Sequence, residues 1–171
     1  MDLSGFYGLM SATCFTLVGL WWLVVERHPD WKVDQRTRRL AGGTYLSFLL
    51  PGVMSLFAQV NPDVPLLWRV SFGTAAVVGI VSNLQLMMGP RGSGGLFTRN
   101  RWVAVAVYAV VLALGAFPEL ASSMAAPPLT VGAFLLVLLV VLAHGLTWEF
   151  MMRPEPDGSA IDHAHHGSAD G

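Results

Sequence analysis

The chain has 171 residues, of which 54% are hydrophobic and 12% charged, whereas soluble domains carry about 25% charged residues. That length leaves room for one domain and no separate soluble catalytic module. The balance of 10 Lys and Arg against 11 Asp and Glu, with no basic stripe interleaved with exposed aromatics, argues against a nucleic-acid partner.

A membrane-spanning helix needs about 20 apolar residues, because every backbone polar group must be satisfied within the segment. Five stretches meet or nearly meet this requirement. The first, Leu3 to Val25, begins without a positively charged region, so no cleavable signal peptide is expected. Gly8, Ala12, Thr16 and Gly19 recur on one face of it, a spacing that lets a second helix approach closely. Cys14, the sole cysteine, excludes intramolecular disulfides and CxxC-type redox or metal sites. The second stretch, Leu40 to Val60, contains Pro51, which predicts a kink with an unpaired carbonyl. Such a break either lines a cavity or is tolerated structurally.

The third stretch, Pro65 to Met88, carries Arg69 near its start and Ser82, Asn83 and Gln85 near its end. Gly89 to Gly95 follows as a flexible turn; it lacks the preceding strand and the Lys-Ser/Thr that a phosphate cradle requires. The fourth stretch, Trp102 to about Ala121, is the shortest in effect, since its apolar part ends at Phe117 before Pro118 and Glu119. Ala106, Ala109, Ala113 and Ala116 line one face of it. The fifth, Thr130 to Met151, includes His144 and Glu149. Residues 154–171 hold Pro154, Pro156, several glycines and His163, His165 and His166, a composition that predicts a disordered tail.

Basic residues alternate between the connections. Arg27, Lys32, Arg36, Arg38 and Arg39 follow the first stretch, Arg91, Arg99 and Arg101 follow the third, and Arg153 follows the fifth. The N-terminus and the two remaining connections carry none, and this asymmetry works only if the fourth stretch crosses. Under the positive-inside rule the N-terminus is outside and the C-terminus cytoplasmic. Trp21, Trp22, Trp31, Trp102 and Trp148 fall at the predicted inner boundary and Trp68 at the outer one, as indole rings do at headgroup level.

Polar groups at membrane depth are functional candidates. Arg69 reads as an interfacial anchor, an ion pair with Asp63 or Glu119, or a site for an anion. Ser82, Asn83 and Gln85 share a predicted depth with His144, which suits an interhelical hydrogen bond or part of a proton or solute path. Glu149 stands four residues before Arg153, the favourable order for a helical ion pair. His163, His165 and His166 offer weak divalent-metal capture, with Asp162 as a further ligand; no other cofactor is expected. Lys32, Arg36, Arg38 and Arg39 suit anionic lipid headgroups. An embedded haem or metal centre would need converging ligands that the spans do not offer, and no catalytic motif is present.

The sequence therefore predicts an all-α integral membrane protein, a five-helix bundle over 1–153 with a cytoplasmic His-containing tail over 154–171, in the plasma or inner membrane. Its expected function is transport, as an oligomeric channel or carrier of an ion or small solute. The alternative is a non-catalytic accessory or assembly subunit of a larger complex, and the third option an intramembrane enzyme.

Overall fold

The computed structural model describes residues 2–60, 64–88, 96–117, 119 and 127–152. Among these it is helical with no strand. Five long helices, α1 (Leu3–Arg27), α3 (Gln35–Val60), α4 (Pro65–Met87), α5 (Leu96–Ala116) and α6 (Pro128–Met151), are each long and apolar enough to cross a membrane. A single-turn helix, α2 (Asp30–Val33), joins α1 to α3.

The ends of these helices follow local chemistry. Asp2 caps α1 by accepting from the Gly5 amide at 3.0 Å, which satisfies one of the orphan donors of the first turn. Pro65 and Pro128 open α4 and α6, where a missing N–H costs nothing. Asp34 caps α3, taking the amides of Arg36 at 3.2 Å and Thr37 at 2.8 Å together with the Thr37 hydroxyl. These donors, the Thr37 hydroxyl first among them, hold the Asp34 carboxyl below its ordinary range.

That direction fixes a pH dependence. The cap contributes fully above the unfolded carboxyl's pKa, near 3.9, and its contribution is lost as pH falls through the lower folded value. Asp34→Asn keeps a capping side chain but is expected to flatten this acid limb of an unfolding titration followed by circular dichroism. Asp34→Ala should lower stability near neutrality as well.

Helix α5 starts earlier and ends sooner than the sequence predicts. Arg99 and Arg101 do not delay it, and Arg101 is only 4% exposed. It stops at Ala116 because Phe117 precedes Pro118, a position that disfavours helical backbone. Its 21 residues still span about 32 Å.

In the bundle, α3 packs on α1, α4 and α6, while α6 also touches α5 and, more lightly, α1. The axis is filled by Tyr7, Met54, Phe72, Tyr108, Val111 and Leu136. A second cluster of Trp21, Leu40, Ala41, Leu146 and Phe150, with Trp31 of α2 against it, closes the end that carries the basic residues. Two hydrogen bonds tie α1 down at both ends. At the basic end the Trp21 indole N–H donates to the Ala41 carbonyl at 3.1 Å, and at the opposite end the Tyr7 hydroxyl donates to the Leu129 carbonyl at 2.6 Å.

These anchors decide which face of α1 points inward. Tyr7, Ser11, Cys14 and Trp21 are buried, whereas Ala12, Thr16 and Gly19 of the expected packing face are exposed. Cys14 meets α3 at Gly52, where an added Cβ would lie 2.9 Å from the Cys14 Cβ. Helix α5 repeats the pattern. Ala104, Val107, Tyr108 and Val111 face the core, while Ala106, Ala109 and Ala116 are exposed. The small-residue stripes of α1 and α5 thus contribute little to packing within the chain.

Candidate functional site

Arg69 projects from the first turns of α4 toward the end of α5. Its Nε donates to the Gly115 carbonyl at 2.7 Å and its Nη2 to the Ala116 carbonyl at 2.9 Å. The last carbonyls of a helix have no intrahelical donor, and the negative end of the helix dipole favours a cation there. The guanidinium is therefore a cap that pins α4 to α5. Of the partners the sequence suggests, Asp63 lies outside the described residues, and Glu119 is exposed.

Arg69→Met is expected to cost about 1.5–3 kcal/mol, the range for hydrogen bonds to a charged group, measured by detergent titration of the reconstituted protein. Arg69→Lys should recover only part of that loss, because an ammonium lacks the planar fork that reaches two carbonyls.

The polar residues of the basic half do not assemble into one layer. The Asn83 amide donates to the Gly79 carbonyl at 2.8 Å, one turn back on its own helix. Ser82 is half-buried and Gln85 exposed. His144 is exposed on α6, with Nδ1 2.8 Å from the Val140 carbonyl and its ring edge-on to Phe48 of α3 at 5.3 Å. A carbonyl only accepts, so Nδ1 carries the hydrogen and the lone pair of the neutral ring lies on Nε2. Glu149 is half-buried, but its suggested partner Arg153 lies outside the described residues. Pro51 is buried within α3, which runs unbroken from Gln35 to Val60.

Two features of the interior are absent from the sequence reading. The ring of Tyr108 lies directly over Gly79, where an added Cβ would come within 2.6–2.7 Å of three ring atoms. Ser55 is fully buried, and its hydroxyl has no hydrogen-bond partner. Helical phase was the available signal on α5. Arg101, Ala104, Tyr108 and Val111 recur every three or four residues, so one stripe carries both the buried arginine and the core aromatic.

An apolar groove of about 590 Å³ lies between α3 and α4 at the end opposite the basic residues, lined by Leu50, Val53, Phe57, Val70 and Val78 among others. Its two hydroxyls are already engaged. Ser71 donates to the Trp68 carbonyl at 2.9 Å, and Thr74 contacts the Val70 carbonyl at 2.8 Å and the Ser71 carbonyl at 3.1 Å. The groove therefore presents apolar walls without a free polar handle.

Among the described residues no three His, Cys, Asp or Glu side chains converge to hold a metal ion. His163, His165 and His166 lie outside the described residues. The chain matches no protein-family model, no curated protein and no solved structure.

Proposed function

We propose that the chain is a non-catalytic subunit of a larger membrane assembly, built from its own copies or from another membrane protein. One observation carries this reading. The core is built mainly of apolar and aromatic side chains, while His144, Gln85 and most of the small residues in the stripes of α1 and α5 are exposed on the outside of the bundle. In hydrocarbon an unpartnered polar group is costly, and exposed Gly, Ala and Thr faces suit close approach of a further helix. On this reading the basic connections face the cytoplasm at a plasma or inner membrane, the side that the positive-inside rule favours. There the exposed Lys32, Arg36, Arg38 and Arg39 contact anionic lipid at about 1 kcal/mol per charge.

Native mass spectrometry of the protein extracted from its own membrane tests the proposal. A partner chain or a defined homo-oligomer is expected, and a self-sufficient monomer in mild detergent would sink the idea.

A second reading, transport, is favoured by His144. Its Nε2 lone pair on the outer surface of α6 is suited to a path formed between subunits, where protons or cations could be relayed. Liposomes carrying the assembly should then show a flux that His144→Ala reduces at least tenfold; no flux in either protein leaves the accessory-subunit reading alone.

A further inference from the structure

We propose that the acidic stretch following α6, led by Glu155 and Asp157, lies over the basic face formed by α2 and the first turn of α3 and competes there with anionic lipid. The proposal rests on the lipid contact inferred above.

Three observations converge on it. First, the end of α6 is held against this face. Phe150 packs edge-on to Trp31 at 4.9 Å and to Trp21 at 5.9 Å, and shares a cluster with Leu40. Trp31 precedes Lys32, and Leu40 follows Arg39. The chain therefore leaves α6 beside the basic residues. Second, the distance is short. Glu155 and Asp157 stand three and five residues beyond Met152, at most about 11 and 18 Å of extended chain. Third, the charges are complementary. After Arg153 the chain carries Glu155, Asp157, Asp162 and Asp170 and no Lys or Arg, whereas Lys32, Arg36, Arg38 and Arg39 are all exposed. Asp34, between Lys32 and Arg36 in sequence, is already engaged by the amides of Arg36 and Thr37. Glu26 and Asp30 are the other exposed carboxylates nearby, and they leave this region with excess positive charge.

A tethered acidic segment acts at high effective concentration, so it neutralises the face until a dense anionic lipid surface displaces it. High salt should weaken both contacts.

Lys32 is the chain's single lysine, which makes the test specific. The full chain is placed in nanodiscs of phosphatidylcholine, treated with a water-soluble carbodiimide and digested. Isopeptides to Lys32 are then identified by mass spectrometry. Links from Lys32 to Glu155 or Asp157 are expected, falling several-fold when phosphatidylglycerol is included. No tail link, whether or not Lys32 joins Glu26, Asp30 or Asp34, overturns the proposal. A tail link indifferent to phosphatidylglycerol upholds the docking and overturns the competition. In parallel, the double variant Glu155→Gln, Asp157→Asn should retain phosphatidylglycerol about fivefold more strongly than the parent, the worth of roughly one surface charge. If the parent retains phosphatidylglycerol but the variant retains no more, the lipid contact stands and the tail's role falls. If neither retains it, the lipid contact itself fails.

Discussion

Trp21→Ala is expected to be among the most damaging single changes to the chain, at about 3–5 kcal/mol, the range for truncating a buried aromatic. Trp21 is 4% exposed, packs against Trp31 and Phe150, and donates to the Ala41 carbonyl. Truncation removes the centre of the basic-end cluster and leaves α1 without its anchor on α3. Trp21→Phe should recover most of the packing but not the hydrogen bond, worth about 1 kcal/mol. Detergent titrations followed by circular dichroism would read both. Equal losses in the two variants would show that the hydrogen bond, not the packing, holds this end together. Trp22 provides the control. It is 63% exposed, so Trp22→Ala should change stability far less.

The second large effect is expected at Gly79→Leu. The ring of Tyr108 occupies the space that any side chain at 79 would need, and Tyr108 is itself 2% exposed. The ring has nowhere to move without shifting α5 away from α4. Replacing Gly in a helix interior by a better helix former gains about 1 kcal/mol. Overpacking a filled core costs about 1–3 kcal/mol, and here the clash involves three ring atoms at once. The clash should win, giving net destabilisation and a displaced Tyr108 environment in near-ultraviolet circular dichroism. The pair Gly79→Leu, Tyr108→Ala tests the cause. Relief in the double variant, scored as a mutant cycle, identifies the ring contact as the source, whereas simple additivity would place it elsewhere.

These effects were not legible in the sequence, although the elements that produce them were. Five long helices, their approximate limits and the clustering of most Lys and Arg at alternate ends of the apolar stretches follow from the order of the residues. The sequence puts the start of the fourth stretch at Trp102, since Arg99 and Arg101 read as loop charges, whereas α5 begins at Leu96. In the structure Arg101 is buried on the stripe that also carries Ala104, Tyr108 and Val111. The candidate site was legible only as a list of polar residues at similar depth. Asn83 and His144 each bond to a carbonyl one turn back on their own helix, a choice that depth and spacing do not distinguish from pairing with each other. Arg69 stands out in the sequence as a basic residue within an apolar stretch. Its use as the cap of α5 depended on where Gly115 and Ala116 lie relative to it.

What the sequence by itself determined is therefore one-dimensional: how many long apolar helices there are, roughly where each lies, and where along the chain the basic residues cluster. Those properties come from the length of apolar runs and from the cost of charge in hydrocarbon. The tertiary structure alone decided which side of each helix faces the core. In water a hydrophobic stripe marks that side, but in a bilayer lipid is as apolar as leucine and the stripe carries no message. Helix α1 shows the result. Leu9, Leu20 and Leu23 face outward, while Tyr7, Ser11, Cys14 and Trp21 face inward. At its two ends, Tyr7 and Trp21 find carbonyl partners on neighbouring helices.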